Sequence, residues 1–512
     1  MSMRDQSKPD TDRRSNRLNN IVIVGGGTAG WMTACAVSRY LGRTVCKIVL
    51  IESEEIGPIG VGEATIPPIT KFINSLGISN ADMINATGAT FKLGIKFNGW
   101  ARDGDSYLHP FGSFGGPVDG VRFENLFLRL AGQRRCREIW RYAPCAVAAT
   151  EGRFGPDLED APSENANLPY AFHFDAKRFA GLLRAKAEAN GVTRIEGRIV
   201  GAETTAGIDR IEAVRFSDGR RLDGNLFIDC SGAQSLLIGQ QLGVEFLDWG
   251  SHLPCDRAVV APTAAADSPA LFTQSTAHDA GWQWRIPLQH RHGNGYVYSS
   301  NFSTDVDAED AFTQRLGSKY LVEPTKISFR TGRRSQFWRS NVVAIGLSAG
   351  FLEPLESTSI HLTQLGISKL LELWPDRDFV PSLSMEYNRQ MTRAFESARD
   401  FIILHYKANS RQGIPLWDHM RETDVPTLLD ERIGLFRETG NIVSSDYDMF
   451  SVRSWFAVML GQGIVPKRYN ALADGVNIGR LEHVAEQYRL RIAKAVSTMP
   501  LHGEYLASLI AN

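Results

Sequence analysis

The stretch Ile21-Val22-Ile23-Val24-Gly25-Gly26-Gly27-Thr28-Ala29-Gly30 decides the fold. Four β-branched residues run into a cluster of glycines, and a helix-compatible segment, 31–40, follows. The glycines fit G-x-G-x-x-G between a strand and a helix. In that setting Gly25 permits a tight turn, Gly27 lets a pyrophosphate approach the backbone, and Gly30 lets the helix lie close to the strand. The helix opens at Thr28 and Ala29, where backbone amides and the helix dipole favour phosphate. Residues 47–51 read as a second buried strand ending at Glu52, 22 residues past Gly30, and its carboxylate suits ribose hydroxyls. This is a β-α-β unit built for a dinucleotide.

Working outward, residues 175–190 form an amphipathic helix. Asp175 caps it, Phe179, Leu182 and Leu183 share a face, and Gly191 ends it. Residues 195–229 change to hairpins, with Ser217-Asp218-Gly219 as a turn. Two later strands, 226–229 before Cys230-Ser231-Gly232 and 341–345 before Gly346, return to the nucleotide site. Distant segments completing one site suit an α/β FAD-binding fold of the glutathione-reductase type. No second G-x-G-x-x-G is present for a nicotinamide nucleotide, so the flavin is expected to be reduced elsewhere. Beyond about residue 370 the pattern is helical, with Tyr387, Met391, Phe395, Ala398 and Ile402 on one face of 385–407. The expected organisation is a disordered tail over 1–20, an FAD-binding region over 21–370 and a helical substrate region over 371–512. The segment 98–170 is an insertion that belongs in space with the C-terminal helices.

The 512 residues carry a formal net charge of −1, which favours neither nucleic acid nor an anionic membrane. Residues 1–20 lack an apolar signal core, and no run of 18 apolar residues occurs. The six cysteines show no C-x-x-C or zinc spacing, so reduced thiols in a cytoplasmic protein are expected.

One block does not read as a helix or strand pattern: Gly281-Trp282-Gln283-Trp284-Arg285-Ile286-Pro287. Beside a flavin, its paired tryptophans form a bulky wall. Such a wall keeps an organic substrate off the isoalloxazine and lets a small oxidant pass.

With this block, the chain resembles the flavin-dependent tryptophan halogenases over most of its length. The other matching blocks are Gly25 to Met32, Gly60-Val61-Gly62-Glu63-Ala64-Thr65-Ile66-Pro67, Phe91-Lys92 with Ile95-Lys96-Phe97, Gly295-Tyr296-Val297-Tyr298-Ser299-Ser300, and Glu353-Pro354-Leu355-Glu356-Ser357-Thr358. The resemblance implies a two-component enzyme. FADH2 from a separate flavin reductase, O2 and a halide (chloride or bromide) give hypohalous acid, which crosses an internal tunnel to a small aromatic substrate.

By the same resemblance, Lys92 carries or polarises the halogen, and Glu356 stabilises the arenium cation or takes its proton. Ser357 links the two ends of the tunnel. Thr358 and Ser359 hold the halide through backbone amides; Ser359 stands where glycine is common. His109 and Phe111 sandwich the substrate ring, and Glu353 and Lys96 are structural. Members acting on free tryptophan carry a tyrosine pair where Trp455 and Phe456 stand here. Phe456 offers no hydroxyl and Trp455 one N–H, so an indole or another uncharged aromatic is expected in place of a zwitterion. Two other functions remain compatible with the residues, a single-component NAD(P)H-dependent aromatic hydroxylase and a non-catalytic flavin-binding protein. A homodimer is compatible with the sequence too.

Overall fold

The computed structural model describes residues 16–42, 46–54, 62–135, 138–156, 167–205, 209–444 and 448–510. Most of the expected tail, Gly60, Val61, Cys136 and the greater part of the 151–168 loop lie outside the described residues. Residues 16–20 depart from the expected disorder. Asn16 donates to Asp378, Leu18 is buried, and the first strand begins at Asn20.

That strand, Asn20–Val24, pairs in parallel with Lys47–Glu52 on one side and Leu226–Asp229 on the other. The sheet has six strands, extended by Val342–Ala344 and Trp338–Arg339 at one edge and Thr193–Glu196 at the other. Its central strands are buried nearly throughout, as a sheet covered on both faces requires. The helix Thr28–Leu41 follows the glycine turn, and Ala176–Ala189 lies against it, capped by Asp175 accepting from the amides of Lys177 and Arg178. Ile199–Thr204, Ile211–Phe216 and Arg221–Asp223 make the expected antiparallel hairpin layer.

A seven-stranded sheet holds Arg257–Ala264, Phe272–His278, Gly281–Pro287 and Arg291–Tyr298, continuing through Gly94–Asn98 to Ser106–Pro110. The tryptophan block is therefore a strand, contrary to the reading of its sequence. Trp282 and Trp284 alternate with Gln283 and Arg285, so both indoles stand on one face. The tertiary reason is Gly295, paired with Trp284 across the ladder: a Cβ there would come within 2.0 Å of the indole ring.

The helix Pro381–Lys407 begins four residues before the expected start and has 27 residues, about 40 Å at 1.5 Å per residue. Near its start, Asn388 accepts from the amides of Phe337 and Trp338 at the edge of the parallel sheet. Its far end reaches Glu356 through His405. This helix physically ties the two expected regions together across residue 370. Described residues of the segment 98–170 bond to the C-terminal part of the chain. Arg129 donates to the carbonyls of Ala473 and Val476, and the amide of Phe154 donates to Pro500.

The glycine turn is sterically exact in its demands at two positions. Gly25 has φ +117°, and a Cβ there would lie 2.1 Å from the carbonyl oxygen of Cys230. A Cβ on Gly30 would lie 1.8 Å from the carbonyl oxygen of Gly25. Gly30→Ala must push the helix off the strand, so its thermal midpoint should fall by several degrees, the mark of about 2–3 kcal/mol. Differential scanning calorimetry of the cofactor-free protein measures this, and an unchanged midpoint would contradict the packing described.

Candidate functional site

The cofactor cradle is assembled from four chain segments. A Cβ on Gly27 would meet nothing within 4 Å, leaving the open approach that a pyrophosphate needs. The amide of Trp31 bonds to the carbonyl of Gly27, so the amides of Thr28, Ala29 and Gly30 lie in the unpaired first turn. Gly346, at φ +78°, abuts Ala29, where a Cβ would come within 2.6 Å. Glu52 packs on Gly26, accepts from Trp31 Nε1 at 3.1 Å and pairs with Arg194 and Arg184. Its carboxylate is therefore fixed at the strand end by an aromatic N–H and two guanidinium groups. These residues fit the adenosine and pyrophosphate parts of FAD.

Lys92 ends the short strand Thr90–Lys92 and is wholly buried. Its Nζ donates to Ser357 Oγ at 2.8 Å and lies 5.5 Å from the centre of the Phe111 ring. Burial draws its pKa down to about 7, against the opposing pull of Glu356. Two neighbouring histidines face the same strand. His173, opposite Thr90, contacts Thr90 and Thr273 hydroxyls, and His502 Nε2 accepts from the amide of Phe91. Burial, then the charge of Lys92, lowers the pKa of His173.

Glu356 ends a single 3-10 turn, Pro354–Glu356, that Pro354 opens. The next residue, Ser357, sits in the left-handed region at φ +58°. A non-glycine residue there costs about 1 kcal/mol or more. The reversal sets Ser357 Oγ toward Lys92 directly after a buried Glu356. The two expected catalytic side chains, 264 residues apart in sequence, thus share one site.

Two imidazoles hold Glu356. His109 Nδ1 lies 3.1 and 3.0 Å from its two oxygens, and His405 Nε2 lies 2.8 Å from Oε1. Burial pushes the carboxyl up, but His109 and His405 outweigh it and hold Glu356 down to about 2. His405 escaped the sequence reading. Its signal was position: it falls three residues after Ile402 on the apolar face of its helix.

After the reversal, the helix Ser359–Glu372 starts with Thr358 as N-cap and no side-chain cap hydrogen bond. Thr358 Oγ1 is buried without a partner among the described residues. Unpaired first-turn amides beside an orphaned hydroxyl suit a small anion. The paired tryptophans adjoin this site. Trp282 Nε1 donates to Glu353 at 2.8 Å, as does the Tyr406 hydroxyl at 2.7 Å, and burial pushes Glu353 up to about 7. Trp282 lies 6.0 Å from Trp284 and 6.1 Å from Trp100, whose ring is 5.9 Å from His405.

On the substrate side, Phe401 stacks on Phe450 at 3.8 Å and meets Trp455 edge-on at 4.8 Å. Phe401 also lies 5.7 Å from His109. Phe456 departs from its expected place. One residue further round the helix Val452–Gly461, it packs among Phe114, Phe127 and Phe436 in the helical core. The approximately 100° turn per residue sends the two rings to different neighbours.

The tryptophan halogenase family model matches residues 20–477. The tryptophan 6-halogenase SttH of Streptomyces toxytricini is 33% identical, the alignment covering 96% of this chain and 98% of that protein. The solved structure of BrvH, a flavin-dependent halogenase from Brevundimonas sp. BAL3, superposes with a TM-score of 0.92 at 43% identity, covering 96% and 99% of the two chains. A flavin-dependent halogenase from Xanthomonas campestris superposes equally well, at 0.92 and 41% identity, covering 96% and 98%.

Lys92 has a stability consequence of definite sign. With a folded pKa of about 7 and an ordinary lysine value when unfolded, the unfolded chain binds more protons between these limits. Stability gains from this group as pH rises through that window, and the full burial cost stands below about pH 7. Lys92→Met should therefore raise the thermal midpoint most at about pH 6, with the advantage narrowing toward about pH 9. Calorimetry of both proteins across that range measures it; a difference independent of pH would refute the depressed pKa.

Proposed function

The chain belongs to the tryptophan halogenase family, and from that premise we propose how its residues divide the work of a flavin-dependent aromatic halogenase and which arene it takes. The enzyme uses FAD as FADH2, with O2 and a halide; the family implies a separate flavin reductase as supplier and an aromatic substrate as acceptor. Bound and reduced, FAD would supply two of the four electrons that reduce O2, and the halide the other two, giving hypohalous acid and water.

In this reading Gly25, Gly27, Thr28, Ala29, Gly30, Glu52 and Gly346 hold the cofactor. Thr358 and Ser359 hold the halide at the uncapped helix start. Trp282 and Trp284 exclude the arene from the flavin, and Ser357 joins the halide end to the lysine end. Lys92 donates a hydrogen bond to the oxygen of hypohalous acid, or as a free amine carries the halogen; a pKa near 7 makes both forms accessible. Glu356 stabilises the cationic ring and accepts the proton released from its carbon. The observation that carries the reading is the Lys92–Ser357 hydrogen bond, which joins a buried amine to the residue next to a buried carboxylate.

The substrate is an uncharged indole-like arene. The aromatic surface of Phe401, Phe450 and Trp455 supports this, together with the loss of Phe456 to the core. Arg432, the cation over Trp455 at 4.2 Å, is already paired with Asp448 at 2.8 Å. A zwitterion would lose hydration there without matched partners. The free thiols Cys35, Cys46, Cys145, Cys230 and Cys255 fit the proposed cytoplasmic setting. No described helix is long and apolar enough to cross a membrane.

The test is steady-state halogenation with a flavin reductase, bromide or chloride, and two substrates. Indole should exceed free tryptophan in kcat/KM by about 10-fold or more. Lys92→Met should still release hypohalous acid to an external trap while losing aryl halogenation. Equal use of free tryptophan would overturn the substrate assignment, and full aryl halogenation by Lys92→Met would overturn the role of the lysine.

A further inference from the structure

The hydroxyl of Thr90 has one hydrogen to give and two buried neighbours. Its Oγ1 donates to the carbonyl oxygen of Pro287 at 2.6 Å, and a carbonyl can only accept. Toward His173, whose Nδ1 lies 3.2 Å away, the same oxygen is therefore the acceptor, and Nδ1 carries the hydrogen. Burial, then the charge of Lys92, holds the pKa of this ring well below the ordinary imidazole value, so it stays neutral. A neutral ring with Nδ1–H presents a lone pair at Nε2, and the Thr273 hydroxyl donates to it at 2.9 Å. All three side chains are buried, Thr90 and His173 completely. Both nitrogens of the imidazole are matched.

The place of this chain of bonds in the fold gives it a use. Thr90 opens the three-residue strand that Lys92 ends. Side chains alternate along a strand, so Thr90 and Lys92 stand on one face, about 7 Å apart along the chain. Opposite them on the strand Ala171–Asp175 are His173 and Ala171. Among the described residues, the other edge of the short strand pairs with no strand. There the amide of Phe91 donates to His502 Nε2 at 3.3 Å, and His502 Nδ1 meets the carbonyl of Pro269 at 2.8 Å. Three ladder pairs on one side are a slight hold for a strand whose last side chain is a buried amine. The His173 bonds add a hold from outside the small sheet. Pro287 ends the strand of Trp282 and Trp284, and Thr273 belongs to the strand paired with it.

Resting on the reading of Lys92 as the group that polarises or carries the halogen, we propose that His173 is a positioning residue for that lysine: its ring clamps Thr90 to Thr273 and so fixes the strand from which Nζ reaches Ser357. His173 neither gives nor takes a proton in the reaction. With its hydrogen aimed at Thr90 and its lone pair at Thr273, it adds no second positive charge beside Lys92. Two cations on one buried face would repel with little screening. Through the carbonyl of Pro287, the lysine strand is also tied to the end of the tryptophan strand.

The test joins a spectroscopic signature to kinetics on the full-length protein. Solid-state nitrogen-15 spectra of protein labelled at histidine distinguish the two neutral tautomers from each other and from the imidazolium. The His173 signals, assigned by their loss in His173→Asn, should show Nδ1 as the one protonated nitrogen at about pH 6, where an ordinary imidazole is mostly charged. His173→Phe keeps a ring and removes both bonds. It should lower kcat for indole halogenation on the order of 10- to 100-fold, the scale of a misplaced reacting group, with KM little changed. His173→Asn, whose amide N–H can still reach Thr90, should regain a large part of that loss. Thr90→Val should lose about as much as His173→Phe, and the double variant no more than either, because both cut the same link.

These variants should release hypohalous acid to an external trap at the wild-type rate. An imidazolium or an Nε2–H tautomer at His173 would overturn the proposal. Wild-type kcat in His173→Phe would do so as well, and so would losses that multiply in the double variant. Loss of hypohalous acid release in step with aryl halogenation, in His173→Phe and His173→Asn alike, would mark a merely structural role and overturn it too. Full aryl halogenation by Lys92→Met would instead overturn the underlying reading.

Discussion

The hydrogen bond from Lys92 Nζ to Ser357 Oγ joins parts of the chain that otherwise answer to different forces. Lys92 arrives on a strand buried among aromatic rings. Ser357 arrives on a backbone reversal that no β-carbon favours. Each is unfavourable alone: a buried ammonium loses its hydration, and a left-handed serine strains its own main chain. Together each supplies what the other lacks, an acceptor for the amine and a fixed position for the hydroxyl. The same reversal sets Glu356 before it and an uncapped helix after it. One strained residue therefore meets the distant amine and orders the carboxylate before it and the uncapped helix start after it.

The paired tryptophans depend on a different constraint. Trp284 has room for its indole because its cross-strand partner, Gly295, has no side chain. Trp282 is held by its N–H to Glu353, which also accepts from Tyr406 on the long helix. That one directional bond, on a carboxylate itself held by Tyr406, orients the ring in a way apolar packing alone does not. Through Glu353, the strand carrying Trp282 is tied to the long helix.

Buried ionisable groups are concentrated here, and each is restrained by a neighbour. Lys92 is drawn down by desolvation, Glu353 is driven up by it, and Glu356 is held low because two imidazoles overcome it. Opposed shifts in adjacent groups are how one site offers an acid and a base at the same pH. Water would level these differences, so the aromatic enclosure is part of the electrostatics.

The sequence by itself determined the nucleotide half. Gly25, Gly27 and Gly30 act through local sterics, and a helix capped by Asp175 needs only near neighbours, so both were legible from spacing. The residue blocks around Lys92 and Glu356 marked these two as chemically important. Tertiary structure alone decided the rest, because the deciding contacts span hundreds of residues. It made a strand of the tryptophan block through Gly295, sent Phe456 into the core while leaving Trp455 beside Phe401, and brought His405 onto Glu356. A strand register, a helix rotation and the end of a 27-residue helix are each set by packing partners far away in the chain, and local sequence carries no record of those distances.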